Sequence, residues 1–145
     1  MTTITRIDVR IKTGNRSRAG TDGDVYLRIG GREFYIDSEA DDFEEGSDRV
    51  YTLGEGANVQ SAQLNDPRSP YQLRTENLDR FPVHIRFAPG DPEGLAQQDD
   101  AWDLESVTVT VNPGPAQVQY QALGGLDHLT LGRHSGLYCD LLRLP

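Results

Sequence analysis

Apolar and polar residues alternate along most of this chain, and this alternation constrains the fold more than any other feature. Successive side chains of a β-strand point to opposite faces, so a period of two marks a strand with one buried face. The clearest runs are residues 7–11, 25–29, 83–87 and 107–111. The residues that we expect to face the core are Ile7, Val9, Ile11, Val25, Leu27, Ile29, Ile85, Phe87, Val107 and Val109.

Many short strand-like runs separated by turn residues predict an all-β fold, an antiparallel β-sandwich of two roughly four-stranded sheets. Further strands are expected at residues 32–36, 49–53, 71–75, 118–123 and 137–144. Gly30 and Gly31 separate two of the runs and suit a tight hairpin turn, which needs positive φ. The best helical candidate is a turn or two at residues 55–64. We expect residues 1–145 to form a single domain with one core.

Composition limits the partners of the protein and its chemistry. A formal net charge of -9 opposes unassisted binding to nucleic acid or to an anionic membrane. No run approaches the roughly 18 apolar residues of a transmembrane segment, and the alternating N-terminal residues do not resemble a signal peptide, so a cytoplasmic location is expected. Cys139 is the single cysteine, which excludes an internal disulfide framework, and its alternation with Leu137 and Leu141 predicts a buried thiol.

Carboxylates are concentrated in segments that adjoin predicted strands. Residues 37–45 carry six carboxylates in nine residues, a second group lies at residues 91–103, and residues 19–24 contain a short Gly/Asp segment. Loops at one end of a sandwich converge, and carboxylates that pack together repel unless a cation joins them. Calcium accepts about six to eight oxygen ligands, including backbone carbonyls, and suits such loops better than magnesium. Two interpretations stay open from the residues alone, a calcium site and a solvated acidic surface.

Three blocks of sequence, in this order, resemble the PLAT (lipoxygenase-homology) domain family. The first block is residues 11–14 and 19–28, the second is residues 42–48, and the third is residues 102–109. The resemblance spans about residues 5–112, and residues 113–145 would supply a closing strand or strands. It implies an eight-stranded sandwich of two four-stranded sheets. It also implies a non-catalytic module that docks enzymes or receptors onto membranes or protein partners, often with calcium.

The resemblance further implies one or two calcium ions bound by these loops. The ligands of one ion would come from Gly20, Asp100 and Ala101. The ligands of the other would come from Thr21, Asp37, Ser38, Ala40 and Asp42. Arg18 stands where some calcium-binding members have an acidic ligand, and is a departure from the family pattern at the first of these sites.

Few side chains are candidates for contact with a partner. Leu95 is the one large apolar residue of the loop at residues 90–101, and Trp102 follows it at the start of a strand, where we expect partial burial. The loop at residues 14–23 contains no large apolar residue. Because a single leucine is a weak membrane anchor, we expect a protein partner more than a lipid one. The alternative function is a structural or cargo-adaptor sandwich without calcium dependence.

Two other motifs do not support a catalytic or nucleotide-binding role. Asp127, His128, His134 and Ser135 have the residue types of a hydrolytic triad, but no nucleophile elbow precedes the serine. The segment at residues 14–20 contains Arg16 and Arg18 between glycines, but no Walker lysine follows it. An enzyme is therefore not expected.

Overall fold

The structure, a computed structural model, describes residues 2–90, 100–123 and 128–145. These residues form ten strands and one short 3₁₀ helix at Thr75–Asn77. The strands are β1 (Arg6–Thr13), β2 (Asp24–Ile29), β3 (Arg32–Ile36), β4 (Asp48–Gly54), β5 (His84–Ala88), β6 (Trp102–Val111), β7 (Val118–Ala122), β8 (Leu129–Leu131), β9 (Tyr138–Asp140) and β10 (Leu142–Arg143).

The strands form two antiparallel sheets, which confirms the predicted β-sandwich. One sheet has the order β10-β7-β6-β1-β4, with β8 also paired to β6, and the other has the order β3-β2-β5-β9. The first sheet therefore has six strands instead of about four. It is larger because the last part of the chain contributes to both sheets: β9 pairs with β5, whereas β10 pairs with β7.

The core lies between the two sheets and has the predicted composition. All ten residues expected to face inward are at most 2% exposed. Cross-strand pairing aligns them, since Ile7, Val9 and Ile11 of β1 lie opposite valines of β6. Cys139 is buried, as predicted, and burial raises the pKa of its thiol. The alternating pattern was sufficient to identify these residues because β1, β2, β5 and the 107–111 part of β6 each have one face on the core.

Some elements differ from the sequence-based expectations. Residues 71–75 do not form a strand; Arg74 makes only an isolated bridge to Thr3 before the 3₁₀ helix begins. Residues 55–64 contain turns and no helix. The run at residues 137–144 divides into two strands at Leu141, which is buried where the chain crosses from one sheet to the other. Strand β8 was not predicted, because three residues are too few to show alternation.

Two asparagine side chains cover the outer edges of β3 and β4. The side chain of Asn58 accepts a hydrogen bond from the Thr52 amide (2.8 Å) and donates one to the Val50 carbonyl (2.9 Å). The side-chain oxygen of Asn65 accepts from the Tyr35 amide at 2.7 Å. These contacts satisfy backbone groups that an edge strand would otherwise offer to another chain.

The Gly30-Gly31 hairpin is formed as predicted, with φ of 60° and 81° in the turn between β2 and β3. At the opposite end of the sandwich lie the β1–β2 loop (residues 14–23), the β3–β4 loop (37–47), the described parts of the β5–β6 loop (89–90 and 100–101) and the β8–β9 loop (132–137). We call this the loop end. The hairpin and the long β4–β5 connection (residues 55–83) lie at the other end.

Candidate functional site

The acidic segments of the sequence meet at the loop end, and backbone hydrogen bonds hold them together. The Thr21 amide of the β1–β2 loop donates to the Phe43 carbonyl of the β3–β4 loop at 3.0 Å. The Gly46 amide donates to the Gly14 carbonyl at 2.8 Å, and the Asp103 amide donates to the Ala19 carbonyl at 2.8 Å. The convergence expected from the sandwich is therefore present in the described parts of these loops.

Five aspartates line one cavity of about 150 Å³, which we call the aspartate cavity. They are Asp22, Asp24, Asp37, Asp41 and Asp42. Thr21 and Ala40 also line this cavity, so the structure brings together four of the five residues expected at one calcium site. The fifth, Ser38, adjoins the cavity through its hydrogen bonds to Asp42.

Asp42 is a buried carboxylate held by neutral donors. One carboxylate oxygen accepts from the Ser38 amide at 2.8 Å, and the other accepts from the hydroxyls of Ser38 (2.7 Å) and Tyr51 (2.8 Å). Burial opposes ionisation of Asp42, but the hydrogen bonds from Ser38 and Tyr51 outweigh it and hold the pKa of Asp42 below its usual value. Asp42 is therefore charged at neutral pH despite its burial.

The pKa of the neighbouring Asp37 is shifted in the opposite direction to that of Asp42. Burial raises the pKa of Asp37, and the hydrogen bond to Asp42 and the charge of Asp42 raise it further. Ionisation of Asp37 is therefore opposed both by its burial and by the charge of Asp42 beside it.

A second group of carboxylates lies at the rim of the aspartate cavity. Oxygen atoms of Asp22, Asp41 and Glu44 lie within 4.8 Å of one another, and all three residues are exposed. The charge of Asp41 and a hydrogen bond to it raise the pKa of Glu44. None of these three carboxylates was among the calcium ligands predicted from the sequence. Each nevertheless lies in one of the acidic segments identified from the sequence.

The other predicted set of calcium ligands is only partly brought together. Gly20 and Asp100 line a second cavity, of about 230 Å³, whereas Ala101 lines a different one. The carboxylate of Asp100 accepts from the Thr21 hydroxyl (2.7 and 2.8 Å) and from the Gly90 amide (2.9 Å), so it fastens two loops to each other. Arg18 lines the same cavity as Asp100 and is a basic residue in an otherwise acidic and neutral lining.

The interpretation of Trp102 as a partner contact is wrong. Its side chain is 0% exposed, and its ring nitrogen donates to the Thr13 hydroxyl at 2.9 Å. The ring packs against Phe43 and Phe87, with centroids 5.4 and 5.7 Å away. Trp102 points inward as the first residue of β6, where β8 pairs alongside it. The other expected contact, Leu95, lies outside the described residues.

No helix in the described part of the chain is long and apolar enough to cross a membrane. Neither a protein-family model nor a curated protein matches the sequence.

Solved structures do match the fold. Coral 8R-lipoxygenase, described as activated by calcium through a C2-like domain, matches with a TM-score of 0.55 and 19% identity over 95% of this chain. The alpha toxin of Clostridium absonum matches with a TM-score of 0.52 and 20% identity over 97% of this chain. The chain spans only 17% of the lipoxygenase and 32% of the toxin. At these identities the likeness shows the fold alone, an antiparallel β-sandwich.

Proposed function

We propose that this domain is a non-catalytic docking module that binds one calcium ion in the aspartate cavity and attaches to a protein partner through the loop end. The observation that carries the proposal is the convergence of five aspartates, Asp37 and Asp42 among them, on one cavity. A cation there would neutralise the repulsion among these carboxylates.

The donor set of the aspartate cavity fits calcium. Its described lining offers carboxylates, the Thr21 hydroxyl and backbone oxygens such as that of Ala40, and it includes no basic side chain. Calcium prefers oxygen ligands, mixes carboxylates with carbonyls, and tolerates irregular geometry. Asp37 and Asp42 would supply the central charges, and Asp22, Asp24 and Asp41 would add to the field or ligate directly. A bound ion would fasten the β1–β2 and β3–β4 loops to each other.

The composition of the neighbouring cavity around Asp100 opposes a second ion, so we propose one calcium ion per chain. The lining of that cavity includes Arg18, whose positive charge opposes the binding of a cation there. The fold likeness to a lipoxygenase described as calcium-activated through a C2-like domain supports the choice of calcium as the cation.

The exposed surface supports a protein partner over a bilayer. Large exposed apolar side chains occur on β4, on β9, near the C-terminus and in the β4–β5 connection, and the described parts of the β1–β2 and β3–β4 loops carry none. Trp102 is buried and cannot enter a membrane. One bound calcium would change the formal net charge from -9 to -7 (-9 + 2), so an anionic membrane would still be repelled overall.

Thermal unfolding with and without calcium tests the cation site. A ligand specific for the folded state at a hundredfold excess over its Kd adds about 2.7 kcal/mol, which is on the order of 5–10 °C in Tm for a domain of this size. Asp37→Asn should abolish most of that gain. Asp140→Asn should retain it, because that carboxylate is 81% exposed at the end of β9 away from the loops. Equal Tm values in calcium and in chelator would favour the calcium-independent adaptor instead.

Sedimentation with phosphatidylserine vesicles tests the class of partner. We expect no calcium-dependent pelleting at physiological salt. If calcium causes strong pelleting of the wild type and Asp37→Asn abolishes it, the cation site is supported. The partner is then a membrane and not a protein.

A further inference from the structure

Basic side chains gather at the loop end on the side away from the aspartate cavity, and the calcium proposal does not use them. Strand β8 pairs with the start of β6, with Leu131 opposite Trp102 and Leu129 opposite Leu104. This pairing brings His128 and Thr130 beside the β1–β2 loop. Two segments that the sequence analysis set aside separately, one with Arg16 and Arg18 and the other with His128, thereby become neighbours.

These residues surround an open cavity of about 240 Å³, which we call the arginine cavity. Arg16, Ser17 and Arg18 line it from the β1–β2 loop, Thr130 lines it from β8, and Asp103 lies at its base. The two arginines and Asp103 give it a formal charge of +1 (2 - 1) in a protein whose net charge is -9.

A buried carboxylate fixes the position of Arg16. Asp103, whose side chain is 8% exposed, accepts from Nε of Arg16 at 2.9 Å and from Nη2 at 2.7 Å. Nη2 also lies 2.6 Å from Nε2 of His128, which must accept because a guanidinium can only donate. The Arg16 side chain is nevertheless 60% exposed, and within the described residues its Nη1 donates no hydrogen bond. The guanidinium is thus oriented and still accessible.

The turn that carries Arg18 is unusual. The Ala19 amide donates to the Arg16 carbonyl at 3.0 Å, and Arg18 adopts a φ of 66° within this turn. Glycine is favoured in this left-handed conformation, and another residue costs about 1 kcal/mol. Such a cost is commonly retained where the side chain has a function. Here the turn places Arg16 and Arg18 on one cavity, and Arg18 also lines the neighbouring cavity around Asp100.

We propose that the arginine cavity binds a phosphate monoester, the group carried by a phosphorylated side chain of the partner protein. Guanidinium groups match the geometry of phosphate oxygens, and the hydroxyls of Ser17 and Thr130 can add neutral hydrogen bonds. Two arginines suit a dianionic monoester better than the singly charged diester of a phospholipid. This site is additional to the proposed calcium site, and no residue lines both the arginine cavity and the aspartate cavity.

Titration of the ¹⁵N-labelled protein with O-phosphoserine in EDTA, followed by amide chemical shifts, tests the proposal without calcium. We expect saturable shifts centred on residues 16–19 and 130, with millimolar affinity. Arg18→Gln should weaken binding about tenfold, because a charge-assisted hydrogen bond contributes about 1.5–3 kcal/mol. Arg18→Gln is the principal variant, since removal of Arg16 would leave Asp103 buried without its cation.

Arg10→Gln is the matched control. Arg10 lies on β1 and donates from Nε and Nη2 to Asp48 at 2.9 and 2.6 Å, so it has the same ion-pair geometry without a cavity. Its variant should bind O-phosphoserine as the wild type does. No saturable shift, or an equal loss in the Arg10 and Arg18 variants, would overturn the proposal. Glycerophosphocholine binding as tightly as O-phosphoserine would overturn the monoester assignment. Because the titration is free of calcium, neither result bears on the aspartate cavity.

Discussion

Replacement of Trp102 should destabilise the domain and, through Phe43, weaken its cation site. The indole is fully buried, donates a hydrogen bond to Thr13, and packs against Phe43. Phe43 follows Asp42 directly in the β3–β4 loop. The ring therefore supports the loop that supplies the central charge of the aspartate cavity, although it lines no part of that cavity itself.

The magnitude follows from burial and from the lost hydrogen bond. Trp102→Ala removes a large core side chain and should cost about 3–5 kcal/mol. Trp102→Phe keeps an aromatic ring but leaves the Thr13 hydroxyl, in a residue that is 1% exposed, without its donor. We expect about 1–3 kcal/mol for this milder change. A double-mutant cycle with Thr13→Val should give a coupling energy of about 1 kcal/mol.

Urea denaturation followed by circular dichroism is the appropriate assay, because Trp102 is the sole tryptophan and its replacement removes the fluorescent probe. Calcium-dependent stabilisation should also shrink in Trp102→Phe, as the β3–β4 loop loses support. Unchanged stability in both variants, together with loss of partner or vesicle binding, would contradict a structural role for Trp102. Such a result would mean that Trp102 is an exposed anchor.

Three further predictions concern single side chains. Without calcium, Asp37→Asn should be more stable than wild type at pH 7 by a few tenths of a kcal/mol, since surface charge interactions have this size. Because folding raises the pKa of Asp37, its charged form opposes folding. The stability advantage of Asp37→Asn should therefore vanish in urea melts below the unfolded pKa of about 3.9. A stability advantage that grows in acid would contradict the raised pKa. Asn58→Ala exposes an edge of β4 and should cost about 1–2 kcal/mol and promote self-association, measured by light scattering; a fully monomeric variant of unchanged stability would contradict the edge-covering role. Arg18→Asp replaces a basic residue that lines the Asp100 cavity with a carboxylate, and should raise the calcium stoichiometry from one towards two in a calorimetric titration. An unchanged stoichiometry would show that Arg18 does not exclude the second ion.

The alternation of β2 illustrates what the sequence can predict about this fold. Val25, Leu27 and Ile29 must share one face of any strand, and that face has to be covered, so the sandwich follows from local pattern and elementary burial. Strand β8 could not be predicted in this way, since its three residues become a strand only by pairing with the start of β6. The same pairing buries Trp102, for which the sequence indicated only partial burial.

The candidate site shows a similar division. The sequence located the acidic segments and, through the family resemblance, the association of Asp37 with Asp42. It could not show that Thr21 turns its hydroxyl to Asp100, because that choice depends on the close approach of the β1–β2 and β5–β6 loops. Nor could it bring Arg16 to His128 across 112 residues of chain. Sequence pattern thus identified the charged segments, and tertiary contacts determined which of them face each other.

Isothermal titration calorimetry with calcium measures directly whether the aspartate cavity holds an ion. The wild-type protein should bind one ion per chain saturably, and binding should be retained in Asp140→Asn and lost in Asp37→Asn. The absence of a saturable binding signal from the folded wild-type protein, or equal binding by the Asp37 and Asp140 variants, would contradict a calcium site in this cavity.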